Sequence, residues 1–232
     1  MYENLLWTND KIQYLFHGNI MEYDMVAASL SVSRRFNLLD DALIDQLNLL
    51  PKKDRTRRIG LIQKDDKDYS EKLLKGILNI RKTFLEQNNL TDENVVSLHS
   101  DAVFFNSKSE VKNIADGVEF KKKGSWTSFI RFRNIEMLYD GTCVTFKNVN
   151  KDMLNMHTLG LIRHISKIFE MVEDYNDEIF DYLSRFQAQY LQDRLPDYYY
   201  IPFCRPAESF KTYNLQLLSF LTNVVLQESR RW

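Results

Sequence analysis

Hydrophobic positions divide the chain into a mixed first part and a helical second part. The apolar run at 19–26, which contains the carboxylate Asp24, predicts a strand that leads directly into helix formers at 27–36. Helical spacing of apolar residues then predicts helices at 40–50 and 68–88. A strand leading into a helical insertion is therefore expected in the first part.

Residues 118–149 show the alternation that is typical of an antiparallel sheet. Before this region, apolar runs at 95–98 and 102–105 flank the HSD of SLHSDAVFF and indicate a strand pair or one long buried strand, and Asp140-Gly141 between alternating runs is a hairpin signal. Single strands are expected at 118–122, 127–139 and 142–149. Helices are expected at 2–16, 153–172, 175–194 and 207–229.

The order of these elements predicts an α+β fold, because the helices are segregated from the strands rather than alternating with them. We expect a small antiparallel sheet in a domain at 1–150, with a helical insertion at about 27–93. A C-terminal helical region is expected at 151–232.

Composition adds few constraints on function. Hydrophobic residues make up 44% of the 232 residues, and there are only 7 Gly and 4 Pro, which excludes a disordered or low-complexity chain. The net charge of -1 indicates no particular class of binding partner, so any nucleic-acid interface must depend on local patches of positive charge. No apolar window is long enough for a membrane span, and Cys143 and Cys204 have no metal-ligand spacing. We therefore expect a soluble protein without membrane contact, in the cytoplasm or inside a host cell.

Common catalytic signatures are absent from the sequence. It contains no G-x-G-x-x-G, no GxxxxGK[ST], no HExxH and no GxSxG. Its four histidines have no convincing ligand spacing: His17, His99, His157 and His164. The residues left to consider are two carboxylates in apolar surroundings, Asp24 and Asp101.

Asp24 in MEYDMVAASL lies near the end of a predicted strand, and Asp101 in SLHSDAVFF lies on or between predicted strands. Carboxylates on adjacent strands can hold the divalent cations that phosphoryl transfer uses, and carboxylate oxygens suit Mg²⁺ or Mn²⁺. A structural alternative exists for each residue: Asp101 could be a hairpin-turn residue, and Asp24 could be a helix N-cap. A carboxylate separation of about 4–6 Å would support a shared metal site.

YDMVAASLS resembles motif A of family B DNA polymerases, and SDAVFF resembles the end of their motif C. The resemblance covers roughly 19–149 and implies a palm-like sheet with Asp24 and Asp101 as catalytic metal ligands. Ser100, or His99 if the loop shifts, stands where the family has its first motif C carboxylate. Ser29 stands where the family has a bulky residue, which implies weak discrimination against ribonucleotides.

The resemblance extends to a helix between the two motifs, where the family has K-x-x-x-N-x-x-Y-G. Lys75 and Asn79 supply the first two positions, whereas Lys82-Thr83 replaces Tyr-Gly. The resemblance implies that Lys75 and Asn79 bind the nucleotide, with Lys72, Arg81 and Lys82 as alternative donors. An ordinary solvated helix surface is the structural alternative.

Several basic clusters could contact nucleic acid. They comprise Lys52, Lys53, Arg55, Arg57 and Arg58 in PKKDRTRR, then Lys121, Lys122 and Lys123, and finally Arg131 and Arg133 alternating with Phe129. A solvated loop and protection of a sheet edge are the structural alternatives. The region 170–197 is acidic, which suits either a protein partner or simple solubility.

Together these features predict metal-dependent nucleotidyl transfer on a nucleic-acid strand. The alternative is a non-catalytic palm-like subunit, such as a viral nucleic-acid-binding or assembly protein that acts through protein contacts.

Overall fold

The computed structural model describes residues 3–149, 159–203 and 210–232. It confirms the α+β class, with seven α-helices and two sheets of six and four strands among these residues. The chain divides into two compact units, one formed by 1–11 and 20–125 and the other by 12–19 and 126–232.

The strands are, in chain order, β1 (Leu6–Thr8), β2 (Tyr14–Leu15), β3 (Ile20–Met25), β4 (Val95–His99), β5 (Ala102–Asn106), β6 (Ile114–Ala115), β7 (Val118–Trp126), β8 (Ser128–Phe132), β9 (Ile135–Tyr139) and β10 (Val144–Lys147). The helices are α1 (Ala28–Arg35), α2 (Asp41–Asn48), α3 (Lys52–Asp65), α4 (Lys67–Gln87), α5 (Leu159–Glu173), α6 (Ile179–Leu191) and α7 (Phe210–Glu228). Short 3₁₀ helices occur at Asp197–Tyr199 and Ser229–Arg231.

The first unit is built on the six-stranded sheet, in the order β1-β4-β5-β3-β7-β6. Strands β3 and β4 both pair antiparallel with β5, so they run parallel to each other with β5 between them. This is a split β-α-β arrangement in which α1 to α4 form the crossover. It brings the C-terminal end of β3 beside the turn between β4 and β5.

Helix α4 packs on this sheet through its apolar face. Phe84 stacks on Phe120 with ring centroids 4.1 Å apart, and it also contacts Phe105 and Tyr23. Asp66 caps the helix by accepting a hydrogen bond from the Tyr69 N–H at 2.9 Å. The buried aromatic contacts fix α4 against strands β3, β5 and β7 of this sheet.

The second unit contains the four-stranded sheet β10-β9-β8-β2 and helices α5 to α7. Ile130, Met137 and Tyr139 from its strands share one buried cluster with Phe169 of α5 and Leu217 of α7. The contact boundary therefore lies at 125/126, whereas the sequence predicted it at 150, because the apolar side chains of β8 to β10 pack with the C-terminal helices.

Two element predictions were wrong. Residues 2–16 do not form a helix over their described part but supply β1, which pairs with β4, and β2, which pairs with β8. The single strand predicted at 127–139 is a hairpin, β8 and β9, whose turn includes Arg133 with φ of 55°. Long-range strand pairing decided both cases and overrode local propensity.

The predicted helices at 153–172 and 207–229 are described only as α5 and α7, and His157 and Cys204 lie outside the described residues. No helix in the described parts of the chain is long and apolar enough to cross a membrane.

Candidate functional site

Asp24 and Asp101 lie side by side at one end of the first unit's sheet. Asp24 pairs with Ala102 across the β3–β5 ladder, and Asp101 directly precedes Ala102 in the two-residue turn between β4 and β5. The Met25 N–H donates to the Asp101 carbonyl at 3.2 Å. The charge of the Asp24 carboxyl acts on the Asp101 carboxyl, as expected for two carboxyl groups at one end of the same sheet. We call this pair the carboxylate dyad.

The electrostatics of the dyad reflect this proximity. Burial raises the pKa of the Asp101 carboxyl, the charge of Asp24 raises it further, and Lys52 acts in the opposite direction. The Lys123 Nζ lies 3.7 Å from the Asp24 Oδ2, with both side chains partly exposed. Two carboxylates held together in this way form a site that favours a shared positive charge.

Replacing Asp101 with Asn should stabilise the protein in the presence of a chelator. The raised pKa means that the folded state binds a proton more readily than the unfolded chain, so ionisation of Asp101 costs stability as pH rises. We expect Asp101→Asn to raise the free energy of unfolding by about 1 kcal/mol at neutral pH, the scale of a relieved like-charge contact on a sheet.

Urea denaturation of both proteins in EDTA measures this difference at neutral pH and under mildly acidic conditions. The gain should shrink as pH falls through the raised pKa of Asp101, because the protonated wild-type carboxyl no longer repels Asp24. A less stable variant at neutral pH would contradict the proposed repulsion.

The dyad lies in a pocket of about 320 Å³, which we call the dyad pocket. Four basic residues line it: Lys52 and Arg55 of α3, and Lys121 and Lys123 of β7. Lys52 and Arg55 are three positions apart and so share one face of α3. Lys121 and Lys123 are two apart and so share one face of β7. Four cations around two carboxylates leave an excess of positive charge for an anionic ligand.

The start of α1 forms the wall of the dyad pocket next to Asp24. Ala27, at the N-cap, has a left-handed backbone with φ of 47°, and the helix has no side-chain cap. Asp24 therefore does not cap α1, which excludes the structural alternative considered for it. Ser29 also lines the pocket. The first N–H groups of a helix have no intrahelical acceptor, so this wall favours negative charge.

The residues predicted to bind the nucleotide lie on α4, and none of them is among the described residues that line the dyad pocket. Lys75 and Asn79 are exposed. Lys72 pairs with Asp68 at 2.6 Å, and Lys82 lies 3.7 Å from Glu86, both within the helix surface. Arg81 is fully buried and bonded to backbone carbonyls.

The remaining basic residues are divided between the two units. Lys53, Arg57, Arg58 and Lys122 are exposed outside the lining of the dyad pocket. In the second unit Arg131 is buried opposite Glu136, and the Arg133 guanidinium lies 4.9 Å from the Tyr213 ring centroid. Phe129 and Arg131 are buried and Arg133 lies in the turn, so these three residues do not form one charged strand face for nucleic acid.

The acidic region 170–197 covers the end of α5, helix α6 and the segment that follows. Several of its carboxylates have local partners: Glu173 accepts from Ser128, Glu170 contacts Lys167, and Asp193 contacts Lys211. Nearby, burial lowers the pKa of His164 to about 3, and its Nδ1 lies 2.9 Å from the Tyr182 hydroxyl. His164 is a packed core residue.

Sequence reasoning missed two features of the site. Lys52 and Arg55 were predicted to contact nucleic acid together with the rest of PKKDRTRR, because residue spacing alone does not show which of these basic side chains line the dyad pocket. Arg81 was placed among phosphate donors, although it lies four residues after Ile77 and three before Phe84, on the apolar face of α4.

Comparison with known proteins identifies the family. The model of a family described as Bacteriophage PBS1 gene 130 protein matches residues 1–221. No curated protein and no solved structure matches the chain. Because the match spans nearly the whole chain, the protein belongs to this bacteriophage family.

Proposed function

We propose that the first unit catalyses metal-dependent nucleotidyl transfer on a nucleic-acid strand, inside the infected host cell. The observation that carries the proposal is the convergence of Asp24 and Asp101, from adjacent strands, in one positively lined pocket. The resemblance of the two segments to motifs A and C supports the same reaction.

The donor set of the dyad fits a hard divalent cation such as Mg²⁺ or Mn²⁺. The dyad offers two carboxylates. Within the described residues, no third His, Cys, Asp or Glu side chain joins them to form a larger metal-binding group. Mg²⁺ is commonly bound by one or two carboxylates, with waters and substrate phosphates completing its coordination. Bound there, the cation would polarise a phosphoryl oxygen and activate the attacking hydroxyl.

The chain's own residues would bind and orient the nucleotide. Lys52, Arg55 and Lys121 line the dyad pocket, and among the described residues none of them forms an ion pair, which leaves their charges to hold phosphate oxygens. Asp24 and Asp101 would hold the cation, which would supply the positive charge that positions the reacting phosphate. Ala28 and Ser29 at the start of α1 also line the pocket, and backbone N–H groups at a helix start favour an anion.

Substitutions on α3 and α4 distinguish two proposed phosphate-binding sets: Lys52 and Arg55 of α3, and the α4 residues implied by the resemblance to family B DNA polymerases. We expect Lys52→Ala and Arg55→Ala each to raise the KM for a nucleoside triphosphate by about 10-fold, because each loses a charge-assisted hydrogen bond. The matched changes Lys75→Ala and Asn79→Ala should alter KM by less than about 2-fold, since these side chains are exposed outside the pocket. Steady-state primer extension measures both pairs, and the reverse order of effects would restore the α4 assignment.

A second candidate is the non-catalytic nucleic-acid-binding or assembly subunit. Ser100 is exposed in the turn, at the position of the first motif C carboxylate of family B DNA polymerases. The site therefore has two carboxylates where those polymerases have three. A folded wild-type protein that binds nucleic acid but yields no product with any nucleotide mixture, with Mg²⁺ or Mn²⁺, would favour this candidate. In that case the acidic region at 170–197 is the first surface to test for a protein partner.

A further inference from the structure

We infer that Arg81 is a positioning residue, which holds the turn that carries Asp101 in place beside Asp24. The inference rests on the proposed function, because the dyad is the proposed metal site. Arg81 lies on α4, is fully buried, and donates to the Ser100 carbonyl at 2.7 Å and to the Leu5 carbonyl at 3.0 Å. Its other terminal nitrogen donates to the Asn4 carbonyl. One guanidinium therefore joins the turn to the N-terminal segment.

The turn is held on both sides of Ser100. Its carbonyl accepts from Arg81, and its N–H donates to the Leu5 carbonyl at 2.9 Å. The next carbonyl, that of Asp101, accepts from the Met25 N–H, one residue after Asp24. A continuous set of hydrogen bonds thus runs from Arg81 through the turn to the strand that carries the other carboxylate.

Ser100 has a left-handed backbone, with φ of 52°. A non-glycine residue in this region is uncommon and carries strain that the surrounding structure must offset. The hydrogen bonds from Arg81 and to Leu5 constrain this one residue from two directions. They specify where the Asp101 side chain leaves the turn.

The chemistry of Arg81 distinguishes this role from simple packing. Burying a guanidinium is costly, and burial lowers the pKa of Arg81 to about 10, while the charge of Asp101 acts to raise it. Arg81 remains protonated at neutral pH. Its planar fork of donors can satisfy three carbonyls at once, which an apolar side chain cannot do and a lysine does only in part.

The test compares Arg81→Met and Arg81→Lys with wild type by amide hydrogen exchange, which needs no metal. The Ser100 and Met25 amides report on the turn, and the Asn106 N–H, bonded to the Asn94 carbonyl at 2.8 Å at the far end of the same hairpin, is the internal reference. We expect Arg81→Met to speed exchange at Ser100 and Met25 at least about 10-fold more than at Asn106. In Arg81→Lys, the exchange rates at Ser100 and Met25 should lie between those of wild type and Arg81→Met. If Arg81→Met does not fold, the exchange rates at Ser100 and Met25 are compared with the rate at Asn106 in Arg81→Lys instead.

Mn²⁺ affinity is the second readout, and Arg131→Met, which removes a buried arginine of the other unit, is the matched control. Arg81→Met should weaken Mn²⁺ binding by about 10–100-fold, as loss of an outer-shell partner does, whereas Arg131→Met should leave it unchanged. Equal acceleration at Ser100, Met25 and Asn106, or wild-type exchange in both Arg81 variants, would overturn the inference. If wild type binds no Mn²⁺, the proposed function fails, while the exchange ratio still decides the role of Arg81.

Discussion

Asp101→Asn is expected to lower the rate of metal-dependent primer extension by about 1000-fold. The substitution keeps the size of the side chain but removes one of the two charges that would hold the divalent cation. A bound cation contributes several kcal/mol to stabilising the charge of a phosphoryl-transfer transition state, and about 4 kcal/mol corresponds to three powers of ten in rate. Asp24→Asn should have a similar effect, because the two carboxylates share one pocket.

The control for this experiment is Asp92→Asn. Asp92 belongs to the same unit and forms an exposed ion pair with Lys11 at 2.6 Å, outside the lining of the dyad pocket. Its loss should change the rate by no more than about 2-fold, as expected for a surface pair. Because Asp101→Asn is expected to be at least as stable as wild type, loss of activity cannot be assigned to unfolding. Full activity in both dyad variants would contradict the proposed chemistry.

Gly76→Ala is expected to destabilise the first unit by about 2 kcal/mol, the scale of an overpacked core position. Gly76 lies in α4 where α1 crosses it, and a Cβ there would lie 2.5 Å from Val32 Cγ1 and 3.0 Å from Phe36 Cδ2. Val32 is fully buried and β-branched, so it cannot rotate away easily. The two helices would have to separate, which would shift the start of α1 that lines the dyad pocket.

Gly60→Ala is the matched helical control. Gly60 lies in α3, is exposed, and an added Cβ would meet nothing within 4 Å. Here alanine should stabilise the helix by about 0.5–1 kcal/mol, because only the conformational cost of glycine is removed. The denaturant midpoint should therefore decrease for Gly76→Ala and increase for Gly60→Ala. A neutral or stabilising Gly76→Ala would show that the α1–α4 contact is looser than described.

Strong local periodicity made several elements predictable from the sequence. The apolar run before α1 predicted β3, and the apolar stripe that contains Leu73, Ile80 and Phe84 predicted α4. The residues at 2–16 were predicted as a helix because local spacing does not report pairing partners, whereas β1 and β2 exist through pairing with β4 and β8.

The site was predictable to a different degree from the fold. Two carboxylates at strand ends could be selected by chemistry, and their closeness follows from the β3–β5 register, which joins residues about 80 positions apart. The direction in which each basic side chain points could not be predicted from the sequence. Whether Lys52 or Lys75 lines the dyad pocket depends on how α3 and α4 pack, and that packing is set by contacts distant in sequence.

A Mn²⁺ titration followed by electron paramagnetic resonance measures whether Asp24 and Asp101 together bind a divalent cation. The titration compares wild type with Asp24→Asn, Asp101→Asn and Asp92→Asn, with a nucleoside triphosphate present in each case and a protein-free triphosphate blank. We expect wild type and Asp92→Asn to bind Mn²⁺ equally, and each dyad variant to bind it at least about 10-fold more weakly. Equal affinity in all four proteins, or no binding by wild type beyond the blank, would contradict this expectation.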